Sequence, residues 1–198
     1  MRLIVFLAFC LCLLSIPLRA QKWMKKGKAF QEKLDHFYQD SLTSPLPKGD
    51  VAGFPGHPFY PLSKKFVVKA KIERTPDAKP FQMPTSTERL PVYRQFAIAT
   101  FTLDGKEHKL SIFQNLKHKT SLFLPFYDLT SGESTYGGGR YLDLALIPRG
   151  NKIKIDFNQA YHPYCAYSDG YSCPIPPIEN RLDVEILAGV KLKKKYMH

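Results

Sequence analysis

With 198 residues, 44% of them hydrophobic, the chain is long enough for one domain with a substantial core, and it shows no internal repeat. Its 29 Lys plus Arg against 17 Asp plus Glu give a formal net charge of +12. Much of that excess sits at the ends, in Lys22, Lys25, Lys26, Lys28 and Lys33 and again in Lys191, Lys193, Lys194 and Lys195; such clusters fit solubility or loose contact with an anionic membrane surface, and no nucleic-acid module accompanies them.

Arg2, the apolar run from Leu3 to Ile16 and then Pro17-Leu18-Arg19-Ala20 read as a signal peptide over residues 1–20. Export to a periplasmic or extracellular space follows, with an uncleaved membrane anchor as the alternative, because Leu18 stands where cleavage prefers a small residue. Cys10 and Cys12 would suggest lipidation, but bulky Phe9 and Leu11 precede them, and cleavage after Ala20 removes both. Residues 21–48 form an amphipathic helix and linker. Phe30, Leu34, Phe37, Tyr38 and Leu42 share one side, and Ser44-Pro45 and Pro47 stop the helix. Packing against the domain is the plain expectation, and lying on a membrane surface, helped by Trp23, is the other.

Residues 49–198 read as a single mainly-β domain. A loop over 49–61 carries Phe54, Phe59 and Tyr60, which seal one end of the core. The first strand covers 65–73, and a proline-broken crossing or flap covers 75–91. A hairpin follows, its arms at 93–103 and 108–114 joined by the strong turn pair Asp104-Gly105. Further strands fall at 121–127, 141–147, 152–157 and 182–187, and Pro125 places its strand at an edge or a bulge. Short strands separated by turns, with almost all helix confined to the ends of the chain, predict an antiparallel β-sandwich or flattened barrel with an N-terminal helix.

Polar and cyclic residues crowd the last third. Gly137-Gly138-Gly139 before Arg140 lacks the strand-turn-helix setting and the Gly-Lys-Ser/Thr of a nucleotide loop. It leaves two readings, close backbone approach beneath a strand or an anion site with Arg140 as bidentate partner. Cys165 and Cys173, with seven residues between them in an exported chain, predict a disulfide. Adding His162 does not make a usual zinc pattern, and a Cys165 nucleophile activated by His162 lacks an orienting third group. Pro174-Ile175-Pro176-Pro177 reads as a fixed internal turn.

Three segments, at 123–144, at 155–189 and more weakly at 81–105, together resemble the domain-of-unknown-function 1684 family of bacterial and archaeal proteins. The resemblance covers most of the mature chain. It implies a fold and a shared polar cluster, and no activity. This chain departs from the family's pattern at His162, where Asn is more typical, and at 59–63, where an Asp is missing after the aromatic-proline element. The residues of interest within the matching segments are Asp128, Glu133, Tyr136, Arg140, Tyr141, Asp143, Asp156, Asn158, Tyr164, Glu179 and Asn180. Asp156 and Asn158 point to one side of a continuing strand; alternatively Asn158 caps the turn after it and Asp156 locks Arg140 in a structural ion pair.

Three functions stay open. In an exported module that binds a small polar molecule or glycan, Tyr136, Tyr141, Tyr161, Tyr164, Tyr167 and Tyr171 line a pocket, and Arg140, Asp156, Asn158, Glu179 and Asn180 orient the ligand. In a hydrolase, Glu179 transfers the proton, Asp156 is its charged partner and Tyr136 or Tyr141 positions the substrate. In a structural protein of the envelope, the same groups close hydrogen-bond networks among themselves. No metal or cofactor is indicated.

Overall fold

The computed structural model describes residues 18–146 and 150–192. The expected signal peptide lies outside them up to position 17, as do Cys10, Cys12 and the lysines at 193–195. Helix α1 spans Leu18–Gln39, so its backbone runs through Ala20, the expected cleavage point. Lys22, Lys25, Lys26, Lys28 and Lys33 are exposed, whereas Tyr38 is buried with Leu34 and Phe37 packed beside it. Leu42 does not extend this apolar stripe; it stands beyond the end of the helix and is 92% exposed. The stop has a local cause. The carbonyls of Phe37 and Tyr38, which lack helical partners, accept the hydroxyls of Thr43 at 2.9 Å and Ser44 at 2.7 Å. Among the described residues no helix is long and apolar enough to cross a membrane.

A short helix α2, Lys48–Val51, leads to a loop that α1 clamps directly. The Asp35 carboxylate accepts the His57 backbone N–H at 2.8 Å and meets its Nδ1 at 2.7 Å. Tyr38, Phe54 and Tyr167 pack around this His57 ring with centroids 4.4–5.7 Å away.

The strands are β1 Val67–Arg74, β2 Phe81–Gln82, β3 Val92–Leu103, β4 Lys106–Asn115, β5 Ser121–Phe126, β6 Arg140–Ala145 and β7 Lys152–Asp156. All pair antiparallel in one seven-stranded sheet of order β6-β5-β4-β3-β1-β7, with β2 attached to β3. Of the expected sandwich or flattened barrel, the mainly antiparallel character holds, and the strands form one sheet that curls into a half-barrel, with no second facing sheet among the described residues. Its two edge strands, β6 and β7, line a common concavity of about 340 Å³ together with Lys26 of α1. Period-two alternation sets the inner face: Val68, Ala70 and Ile72 are buried, while Lys69, Lys71 and Glu73 face solvent. Leu110, Ile112, Leu122, Leu124, Phe126, Leu142, Ile155 and Phe157 are among the others in the same cluster, each full burial contributing about 1.5–3 kcal/mol.

The β3–β4 hairpin turns through Asp104 at φ 51° and Gly105 at φ 77°, the two left-handed positions that an Asp-Gly pair tolerates and that match strand twist. Two expectations fail in the second half of the chain. Pro125 sits neither at a sheet edge nor at a bulge, because β5 lies between β4 and β6. The β4–β5 ladder instead opens after the single pairing of Phe113 with Phe123, and a side chain described below fills the gap. Residues 182–187 form no strand, and the chain bends at Asp183 and Val184. Their backbone groups are taken up one at a time: Leu182 donates to Tyr127 O at 2.8 Å, Val184 O accepts from Leu129 at 3.2 Å and Ile186 N–H goes to Asp128.

Candidate functional site

Most of the polar residues marked by the sequence are consumed by the fold. Arg140 is the clearest case: its exposure is zero, and both of its terminal nitrogens are taken up by the fold, with Nε left without a hydrogen-bond partner among the described residues. Nη2 donates to Asp128 Oδ1 at 3.1 Å and to Ile186 O at 2.9 Å, and Nη1 donates to Ala188 O at 2.5 Å. The other Asp128 oxygen accepts Ile186 N–H at 2.7 Å and the Thr130 hydroxyl at 2.8 Å. The partner of Arg140 is thus Asp128, not Asp156, and the guanidinium is not presented to any ligand. Burial pushes the Arg140 pKa down and Asp128 pushes back. The glycine run before it has the close-approach role. Gly139 sits at φ 83°, and a Cβ there would lie 2.7 Å from Phe126 O.

Asn158 and Asn180 act as strand surrogates. Asn158 accepts Ser63 N–H at 2.8 Å and donates to Ser63 O at 2.9 Å, pinning the chain that enters β1. Asn180 grips Ser111 of β4 in the same way and also donates to Pro125 O at 2.7 Å, which fills the opening between β4 and β5. Asp156, 6% exposed, caps the 3-10 turn Phe157–Gln159 by accepting Asn158 N–H at 3.3 Å, so the capping role falls to Asp156 and not to Asn158. Glu179 is exposed in the turn Ile178–Asn180, with no hydrogen bond or ion pair among the described residues, and Glu133 is likewise exposed. No Glu179–Asp156 acid and base pair is assembled: Asp156 is bound by Asn158 and Gln159, and Glu179 lines none of the concavities described here.

His162 is buried and speaks as a neutral ring. Its Nε2 accepts Tyr136 N–H at 3.2 Å, so the proton is on Nδ1 and is donated to Tyr167 Oη at 3.2 Å. Burial lowers its pKa well below the ordinary value, with Arg140 and His57 adding to the shift. One acceptor and one donor are also what an Asn side chain offers. Tyr136 is half-buried against His162, and burial raises its hydroxyl pKa to about 12.

What the structure does bring together is a concavity of about 280 Å³ walled by Tyr93, Phe123, Tyr141, Tyr161, Tyr164 and Tyr171, with Arg89 and Asp143 among its lining residues. Each ring is held. Tyr141 packs edge-on against Phe123 and Tyr161 at 4.8 and 5.9 Å and donates its hydroxyl to Pro174 O. The Tyr161 backbone pairs with Tyr141 on the free side of β6, at 2.9 and 3.1 Å. Tyr164 stacks on Phe37 of α1 at 5.9 Å and meets Tyr171 edge-on at 5.2 Å. The Tyr161 hydroxyl donates to Asp143 at 2.8 Å; reduced solvation raises the Asp143 pKa, and that hydrogen bond lowers it in part. Asp143, Tyr161 and Tyr164 also line a second concavity, of about 380 Å³, under α1.

The flap over 83–91 closes the opposite wall. Ser86 N–H donates to Cys173 O at 2.9 Å, Ile175 N–H to Pro84 O at 2.9 Å, and Arg89 Nη2 to Ser172 O at 2.6 Å. The Thr85 and Thr87 hydroxyls meet Ser172 Oγ at 2.8 and 2.6 Å. Cys165 and Cys173 are adjacent free thiols, and Cys173 Sγ accepts Cys165 N–H at 3.1 Å. Of the residues expected in a pocket, Tyr141, Tyr161, Tyr164 and Tyr171 reach it; Tyr136, Arg140, Asn158, Asn180 and Tyr167 do not. Arg89, Tyr93 and Phe123 were not foreseen. The hydroxyl-rich run Thr85-Ser86-Thr87 beside Arg89 was the available signal.

The sequence profile of the family described as Protein of unknown function (DUF1684) matches residues 52–191. The chain belongs to that family. An uncharacterised protein of Haloarcula marismortui, solved in solution by NMR, is similar at 31% identity, with 89% of this chain and 98% of that one covered and a TM-score of 0.72. No curated protein matches the chain. For this DUF1684 member, the fold is shared with a solved relative, and chemistry must be read from the concavity. Among the described residues no group of three His, Cys, Asp or Glu could hold a metal ion.

Proposed function

We propose that the protein is an exported binding module for a small polar ligand, a sugar ring or short glycan being the chemistry that fits best. The observation carrying this reading is the convergence of six aromatic rings on one concavity of about 280 Å³ that also holds Arg89 and Asp143. Sugars present C–H faces that stack on aromatic rings and hydroxyls that need both donors and acceptors; Arg89 supplies donors and Asp143 an acceptor. The volume lies near the small end for ligand sites, which favours one or two rings over an extended chain. Export rests on the N-terminal sequence, and the exposed lysines of α1 suit contact with an anionic membrane surface.

The test is a titration of the processed protein with a panel of neutral and uronic-acid mono- and disaccharides, followed by amide NMR. Binding should shift the resonances of residues around Tyr141, Tyr161 and Tyr171. Tyr164→Ala and Arg89→Ala should weaken binding by about tenfold or more while the spectrum stays folded, as expected for loss of a stacking or charged contact. Saturating sugar that leaves these resonances unmoved would sink the reading.

A further inference from the structure

A pair of cysteines meets the concavity through one of its two members. Cys173 lines it, at the junction of three segments: the 3-10 turn Tyr164–Ala166, the flap carrying Arg89, and the edge strand bearing Tyr141. Cys165 lies on the turn itself. At the start of such a turn the first backbone N–H groups have no partner within it, and here the N–H of Cys165 is aimed at Cys173 Sγ at 3.1 Å. Cys173 N–H donates to Ser86 Oγ at 3.1 Å, which fixes the sulfur's own backbone to the flap. A thiol that receives donors in this way, with a second thiol in contact, is built as an attacking and resolving pair rather than as two inert core residues.

We propose that Cys173 and Cys165 form a dithiol modification site on the wall of the aromatic concavity, oxidised by a small hydroperoxide, with Cys173 attacking and Cys165 resolving. The site is independent of the sugar reading, since it requires only access to the concavity. The Cys173 thiolate attacks the terminal oxygen of the hydroperoxide. The S–O bond forms as the O–O bond breaks, the alkoxide leaves and takes a proton from water, and the sulfur is oxidised by two electrons to the sulfenic acid. Cys165 then attacks the Cys173 sulfur; the S–S bond forms, the S–O bond breaks, and hydroxide leaves with the Cys165 proton as water. The net change is two thiols and one hydroperoxide to one disulfide, one alcohol and one water. It happens once per molecule and needs no other reactant.

The electrostatics agree with the assignment of roles. The Cys165 thiol hydrogen bond lowers the Cys173 pKa, burial opposes it, and the Cys165 and Tyr164 backbone N–H groups and Arg89 add to the lowering. Cys165, whose proton is held against Cys173, is pushed the other way. The other ionisable groups facing the pair are the hydroxyls of Tyr38, Tyr136, Tyr141 and Tyr164, each pushed upward by burial and so neutral near pH 7.

The experiment starts from fully reduced full-length protein in which Cys10→Ser and Cys12→Ser remove the other two thiols, treated with one equivalent of tert-butyl hydroperoxide and followed by intact mass. The wild type should become two hydrogens lighter. Cys165→Ser should gain one oxygen at Cys173, trapped by dimedone, and Cys173→Ser should stay unmodified. In the native wild type, mapping of limited iodoacetamide labelling should show Cys173 modified about tenfold faster than in urea, because thiolate fraction governs attack; this readout holds even if a variant fails to fold. Native labelling no faster than in urea, or oxidation that persists at Cys165 in Cys173→Ser, would overturn the proposal. So would a pair that stays disulfide-bonded in excess reduced glutathione, which would make it a permanent structural bond.

Discussion

The side-chain amide of Asn180 faces the backbone of Ser111 as a neighbouring strand would, its Oδ1 accepting Ser111 N–H at 2.7 Å and its Nδ2 donating to Ser111 O at 2.8 Å. The same Nδ2 reaches Pro125 O, so one side chain bridges β4 and β5 where their ladder has opened. Asn180→Ala leaves three buried backbone groups without partners and should cost about 3–5 kcal/mol, at roughly 1–3 kcal/mol for each orphaned group before relaxation. Asn180→Asp should also destabilise, because a carboxylate cannot donate to the two carbonyls. Urea unfolding checks both, and an unchanged midpoint would show that the amide is not a strut.

The Arg140–Asp128 pair behaves as a lock between β6 and residues 186–188. Arg140→Met should destabilise the protein by about 3–5 kcal/mol, since it strands a buried carboxylate. Combining it with Asp128→Asn should cost less than the two single changes added together, and a double-mutant cycle reads that coupling. Additive effects would mean that the two side chains do not depend on each other.

His162 should make the fold acid-sensitive. Its pKa is lowered in the native state, so as pH falls below the unfolded value near 6.5 the unfolded chain takes up a proton that the folded chain refuses. Stability is fully present above that pH and falls below it, by at most about 1.4 kcal/mol per pH unit from this one group. Asp143 works in the opposite sense. Its raised pKa means that its contribution is fully present below the unfolded value and is lost as pH rises through the folded one. His162→Asn should retain the Tyr136 and Tyr167 contacts and flatten the acid slope. Chemical unfolding between pH 7 and 5 tests this, and an unchanged slope would assign the acid sensitivity elsewhere.

Two like-charge pairs face each other on the outer side of the sheet, Lys69 opposite Lys154 and Lys71 opposite Lys152, all four exposed. Directly opposed cations cost stability, so Lys71→Glu should raise it by about 0.5–1 kcal/mol at low salt. High salt should shrink that gain, because the pair is open to screening. Thermal melts at two ionic strengths suffice, and a gain that does not depend on salt would point to propensity instead of charge.

The strands were legible where burial alternates along the chain. In β1 the order Val68, Lys69, Ala70, Lys71, Ile72 is itself the inner and outer faces, and Asp104-Gly105 defines the β3–β4 hairpin. Leu182, Val184 and Ile186 also alternate, yet no strand forms there, because Asp128 and Arg140 claim the backbone groups that a ladder would have used. The candidate site was half legible. Tyr141, Tyr161, Tyr164 and Tyr171 stood out as a crowd of phenols, but Arg89, Tyr93 and Phe123 come from segments far away in the chain.

Local pattern alone determined the mainly antiparallel β character, the N-terminal helix and the hairpin, since each depends on a periodicity or turn geometry contained within a few residues. Only the tertiary structure decided that one curled sheet forms in place of two, that Arg140 belongs to Asp128, and that Asn158 and Asn180 hold backbone instead of ligand. The physical reason is that a buried polar group binds whichever complementary group the fold brings within about 3 Å, and sequence separation does not encode that meeting.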